Sequence, residues 1–264
     1  MDILQYYLKK EAGFVVIDTH SGAGLYDLTS NHAAQLQEHV LGVEKLMSVN
    51  WPEIADYKSI IEHFNSNLKD NPSSLKTYPG SSMITAKLLR SQDTAWCFEL
   101  HPTDFKILQD NYGGIQPNCR LKTKCADGLE GLISLVPPPS RRGVVLIDPS
   151  YEIKSDYRLV VETLNKAYQR FATGTYALWY PVIDRRTIDT MERQLKKTGI
   201  KNIQQFELGV KRGDRSSGMN ASGLFVINPP WTLKQSMEQL LPKLSKLLRQ
   251  DDQYFSKVKI LVEE

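Results

Sequence analysis

A chain of 264 residues, 41% of them apolar and 24% charged, can bury a full hydrophobic core and is not of the composition that stays unfolded. With 33 lysines and arginines against 30 acids, the net charge of +3 permits a nucleic-acid partner without requiring one. No apolar run approaches the roughly 20 residues of a membrane helix, and the opening MDILQYYLKKEAG lacks the basic, apolar and small-residue order of a secretory signal, so a cytoplasmic location is expected. Cys97, Cys119 and Cys125 form no CxxC pair and have no histidine at a zinc-binding spacing, so no metal site is expected.

In chain order, Ile3, Leu4, Tyr7 and Leu8 fall at helical spacing, and FVVIDTH at 14–20 reads as the first strand, closed by the turn-prone SGAG. Between 28 and 79 the pattern changes. NHAAQLQEHVLGVEKLM and IADYKSIIEHFNSNL read as amphipathic helices separated by NWP, without a strand pattern, which predicts a helical insertion within one domain made of 1–27 and 80–264. YPGSS ends the insertion and MITAKLLR returns to helical spacing. AWCFEL (95–100), RLKTKC (120–125), GVVLID (143–148), TYALWYPV (175–182), IQQFELGV (203–210) and GLFVINPP (223–230) supply six further strands, with helices between most of them. The alternation predicts an α/β fold of Rossmann type, with a mostly parallel sheet of seven strands. Basic clusters at SRRG, at KRGDR (211–215) and along the lysines from Lys234 onward are candidate RNA contacts.

The first strand runs into Gly22 and Gly24, where missing side chains let a ligand lie against the backbone of a sharp turn. GAGLYD does not complete a dinucleotide fingerprint, so the weight falls on the acids that close the next two strands. The second strand ends at Glu99, an acid placed to accept from a ribose diol, and the third ends at Asp127 and Gly128, an acid near an adenine amine. Two acids behind a glycine turn form the layout that grips S-adenosylmethionine.

VVLIDPSY, ending at Tyr151, and LFVINPPW, ending at Trp231, read almost alike: an apolar run, an acid or amide, proline, then an aromatic ring. The exocyclic amine of adenine is a poor nucleophile because its lone pair is delocalised into the ring. A carboxylate or amide oxygen and a backbone carbonyl stiffened by proline can accept both amine hydrogens and turn the nitrogen toward a methyl donor, while the ring stacks on the extruded base. Position decides between the two. In chain order the first motif ends the fourth strand, which in a doubly wound sheet lies beside the first, whereas the second ends the last strand. Asp148, Pro149 and Tyr151 are therefore the candidate catalytic group. Asn228 to Trp231 is expected to be a structural exit on which Trp231 packs.

Together DTHSGAG, TYPGS, ELHP, ADG, RRGVVLIDPSYE, RFATGTYALWYPV and ASGLFVINPPW resemble the RlmJ-type 23S ribosomal RNA adenine-N6 methyltransferases of bacteria, from about residue 3 to the end. The resemblance implies an S-adenosylmethionine-dependent enzyme that methylates one adenine of 23S RNA and prefers RNA free of protein; the sequence shows no long coiled seam or interface stripe, so a monomer is expected. It implies cofactor contacts from His20, Ser81, Glu99, Asp127 and Gly128, with Asp148 bonding the target amine and accepting its proton and Tyr151 stacking on the base. Two departures stand out. Ser150 replaces the second proline of the family's D-P-P-Y, which loosens the loop. This chain also starts after a segment of about two dozen residues that in the family closes over cofactor and substrate, implying a pocket open on one side and weak activity. An adenine-N6 methyltransferase of DNA and a non-catalytic RNA- or cofactor-binding protein are the competing readings.

Overall fold

The computed structural model describes residues 1–30, 33, 37–65, 75–213 and 218–264. The chain opens with α1 (Asp2–Leu8), β1 (Val15–Asp18) and β2 (Leu25–Asp27). The insertion carries α2 (Glu38–Leu41), α3 (Val43–Met47) and α4 (Ala55–His63), and returns through β3 (Thr77–Pro79). Then come α5 (Ser81–Leu88), β4 (Thr94–Glu99), α6 (Pro102–Gly113), β5 (Arg120–Cys125), α7 (Gly128–Leu135), β6 (Gly143–Ile147) and α8 (Asp156–Arg170). β7 (Thr175–Val182), α9 (Arg185–Lys197), β8 (Ile203–Gly209), β9 (Ala221–Ile227), α10 (Leu233–Leu248) and β10 (Phe255–Val262) complete it.

The main sheet has the order β10-β8-β9-β7-β6-β1-β4-β5. β5, β4, β1, β6 and β7 are parallel neighbours, while β9 runs antiparallel to both β7 and β8. β1 and β6, VVID and GVVLI, are near-continuous apolar runs because helices cover both faces of the sheet. On one face α7, α8 and α9 build the larger core around Leu132, Val160, Leu164, Tyr176, Ile188 and Phe225. On the other, Leu4, Phe14, Met83, Leu89 and Leu108 pack α1, α5 and α6 against β1 and β4, and α10 covers Phe206 and Val226.

Three expectations change. The sheet has eight strands instead of seven, because FSKVKILV at 255–262 adds an antiparallel edge strand to β8. The insertion also contains a strand: β3 pairs with β2 from Leu25↔Pro79 to Asp27↔Thr77, a two-stranded neck joining insertion to sheet. Above the neck, Val43, Met47, Ile61 and Leu75 form a small core of their own, and Tyr57 and Tyr78 share a hydroxyl hydrogen bond of 2.8 Å. The helix expected over 31–47 is two short helices meeting at Gly42, and its residues 31–32 and 34–36 lie outside the described residues, as do 66–68 of the second expected helix and 214–215 of KRGDR.

Candidate active site

At the carboxyl edge of β1, β4, β5 and β6, the loops enclose a cleft of about 810 Å³. Seven residues singled out from sequence line it: His20, Gly22, Glu99, Asp127, Gly128, Asp148 and Pro149. Gly22 and Gly24 adopt φ of +56° and +77°, the left-handed conformations that suit glycine, and they reverse the chain after β1. Glu99 braces that bend by accepting from the Gly22 N–H at 2.9 Å, while its other oxygen accepts from the His101 N–H at 2.8 Å. Asp127 caps α7, accepting from Leu129 and Glu130 through Oδ1, which leaves Oδ2 available to a ligand. A Cβ on Gly128 would collide with the Thr19 carbonyl, so only glycine lets the start of α7 approach the end of β1 this closely.

Asp148 follows β6, the strand paired directly with β1, so its carboxylate and the glycine bend share one cleft wall. Burial, and then the like charge of Asp18, push the Asp148 pKa up to about 7. Burial likewise lifts Asp18 to about 6, against hydrogen bonds from the Ser81 hydroxyl at 2.6 Å and the His20 N–H at 3.3 Å. Burial lowers the His20 pKa, which favours a neutral ring, and its Nδ1 shares a 2.7 Å hydrogen bond with the Thr19 hydroxyl.

Three expected site residues sit back from the cleft. Gly24 is buried, and its carbonyl accepts from the Gly80 N–H at 2.7 Å, tying the bend to the neck. Ser81 has its hydroxyl engaged with Asp18, so it supports the site from behind. Tyr151 does not present a ring to the cleft as the stacking role requires: at 6% exposure it turns inward with φ +54°, donates to the Trp179 carbonyl at 2.5 Å and lies against Tyr157. Among the described residues, the large rings that do line the cleft are Tyr26 and Trp179, neither identified from sequence. Tyr26 belongs to a three-residue strand and Trp179 to a buried one, so neither carries a local motif. Asp18 is legible as the acid of DTHSGAG, but its place at a strand end gives it no chemical role until the fold brings Asp148 beside it.

The second motif is elsewhere. Because β9 runs against β7, with Ile227 opposite Tyr176, Asn228 leaves the sheet beside Thr175 at the start of β7, the edge opposite Asp148. Its side-chain amide donates to the carbonyls of Ala172 and Gly174 at 2.7 and 2.8 Å. Its role is thus to hold a turn. Trp231, expected to pack, is instead 78% exposed.

Six carboxylates line the cleft (Glu99, Asp104, Asp127, Asp148, Glu152 and Asp156), and among the described residues no lysine or arginine does. Such a wall attracts a small cation and repels phosphate.

The family described as "Ribosomal RNA large subunit methyltransferase D, RlmJ" matches residues 11–261. Ribosomal RNA large subunit methyltransferase J of Haemophilus influenzae is 44% identical over 250 residues, covering 94% of this chain and 86% of that protein. The protein of the same name from Escherichia coli is 43% identical over 249 residues, covering 93% and 86%. Among solved structures, protein LPL1258 of Legionella pneumophila superposes with a TM-score of 0.87 at 30% identity, over 98% of this chain and 92% of that one. With a family match over residues 11–261, a span that includes the glycine bend, Glu99, Asp127 and the Asp148 loop, the chain belongs to the RlmJ family of ribosomal RNA large subunit methyltransferases.

Proposed function

We propose that this chain transfers the methyl group of S-adenosylmethionine to the exocyclic amine of one adenine in 23S ribosomal RNA, acting in the cytoplasm, as a monomer, on RNA not yet covered by protein. The observation that supports the reading is the shared cleft: Asp148, the glycine bend, Glu99 and Asp127 all line it.

The residues present fit the donor. Its net positive charge suits six carboxylates, and Gly22 and Gly128 line the same cleft. Glu99, although both its oxygens accept backbone N–H groups, keeps lone pairs for ribose hydroxyls, and Asp127 Oδ2 can take an adenine amine. When bound, the donor supplies a methyl carried on a positively charged sulfur. Asp148 accepts from one amine hydrogen and the carbonyl held by Pro149 from the other, which directs the nitrogen lone pair; Asp148 then takes up the proton that the methylated nitrogen releases. With Tyr151 braced beneath Trp179, the wall against which the base lies is formed by Trp179 and Tyr26. The acidic lining also means that only a base extruded from its stack enters, with its phosphates left outside.

Labelled methyl transfer to protein-free 23S RNA, and none to duplex DNA, is the expected result. Asp148→Ala should lower the rate at least a thousandfold while donor binding persists, and Asn228→Ala should leave the rate near wild type. Retention of activity by the first variant and its loss in the second would overturn the assignment.

A further inference from the structure

An acidic cleft leaves one need unmet: a large polyanion must be held by something other than the walls that admit its base. Outside the cleft, the described residues include a groove of about 620 Å³ where the insertion meets the end of α10, lined by Trp51, Lys243, Lys246, Leu247 and Arg249. Lys243 bonds Glu53 and lies 5.9 Å from the centre of the Trp51 ring. Arg249 lies over Tyr254 at 5.8 Å. Lys246 and Arg249 are exposed, and neither pairs with a carboxylate among the described residues. Asp251 and Asp252, the nearest acids in sequence, form no ion pair with either cation, and Asp251 accepts from the backbone N–H groups of Arg212 and Gln253. Three cations facing one paired acid, interleaved with two aromatic rings, match a nucleic-acid strand in both phosphate charge and base stacking.

Topology puts this groove on the rim that holds the cleft. Gly209 lies opposite both Ala221 and Phe255, and Ala221 lies opposite Val182, the last residue of β7, so the 249–254 turn stands at the carboxyl edge of the sheet. The Gln250 N–H fixes the turn at that level by donating to the Val210 carbonyl at 2.7 Å. The insertion that contributes Trp51 leaves the sheet just after the glycine bend. A competing groove beside the catalytic loop is weaker as a phosphate site, because its Lys154 and Arg158 are matched by Glu152 and Asp184.

We propose that Lys243, Lys246, Arg249 and Trp51 form a second RNA contact that holds the substrate strand away from the target adenine. It rests on the RNA-methylation reading above and adds to it an anchoring surface formed jointly by the insertion and α10.

Binding of protein-free 23S RNA transcript, followed by fluorescence anisotropy across salt concentrations, tests it. The double variant Lys246→Ala/Arg249→Ala should bind about tenfold more weakly near physiological salt, and the slope of log affinity against log salt should shrink by roughly 1.5, as expected for two lost phosphate contacts. Donor affinity and the rate at saturating RNA should stay at wild-type values. Trp51→Leu should weaken binding several-fold and leave the slope unmoved, since stacking releases no counterion. The conservative Lys246→Arg/Arg249→Lys pair should restore binding. Double-variant affinity and slope equal to wild type, alongside normal methyl transfer, would overturn the patch and return that surface to solvent or to a protein partner. Absence of transfer by the wild-type protein, with the binding differences intact, would instead overturn the reading of the cleft.

Discussion

In the proposed reaction Asp148 must be ionised to take up the proton that the amine releases, yet burial and Asp18 raise its pKa to about 7. Since the raised value favours the neutral acid below that pH, kcat/KM should climb as pH rises through about 7 and level off above it. The donor's positive charge favours the carboxylate, so the midpoint seen in kcat, with donor bound, should lie lower. Asp18→Asn removes the like charge and should also move the kcat/KM midpoint down; because the two acids are neighbours, the observed values belong to the pair. A rate that is flat between about pH 6 and 8, with no response to Asp18→Asn, would refute this account. The cost of preparing the loop also shows at this scale. Tyr151 sits in a left-handed conformation that a residue with a Cβ adopts at a penalty of about 1–2 kcal/mol, and its bond to Trp179 offsets that penalty.

Among elements, the junction of β1 with α7 sets the depth of the cleft. Asp127 supplies the cap that starts the helix and Gly128 supplies the bare backbone that lets it rest on Thr19. Gly128→Ala should push the helix off the strand, cost about 2–3 kcal/mol of stability and weaken donor binding at least tenfold, as read by thermal unfolding and donor titration. Gly113→Ala is the matched control: its added methyl meets nothing within 4 Å at the end of α6, so both measurements should stay close to wild type. The neck strands act at the same scale, because the Gly80 N–H bonded to the Gly24 carbonyl links the base of the insertion to the bend that lines the cleft.

Across the whole molecule, a charged network fastens the antiparallel half of the sheet to α9. Glu207, 1% exposed, accepts from Arg185 at 2.7 and 2.9 Å and from the Tyr180 hydroxyl at 2.9 Å, and Glu192 joins Gln205, Lys257 and Lys259. Burial opposes ionisation of Glu192, but hydrogen bonds from Lys259 and Gln205 and the nearby lysine charges carry its pKa down to about 2. Its stabilising contribution is therefore present above the ordinary carboxylate pKa and is lost as pH falls toward about 2. Arg185→Ala leaves Glu207 buried with its best partner gone and should cost about 3 kcal/mol in denaturant unfolding, with little change in donor affinity.

The parallel half of this architecture was legible from sequence, because doubly covered strands such as GVVLI are continuous apolar runs ending in chemically distinctive tips. The eighth strand was missed because FSKVKILV mixes lysines with apolar residues, as an exposed edge does, and β3 was missed because three residues are too few to show a period. Most of the cleft was legible too, since Glu99, Asp127 and Asp148 each close a readable strand. Tyr26, Trp179 and the inward turn of Tyr151 were not, because the direction in which a side chain points at a loop is decided by tertiary packing.

The reversal of β9 has a consequence of its own. Two nearly synonymous phrases coexist in one polypeptide because strand polarity sends one to the acidic cleft and the other to the far pole of the domain. Heading, more than spelling, assigns their meaning. The distant copy is thereby free to pin the turn around Ala172 and Gly174, and its tryptophan to stand exposed to solvent.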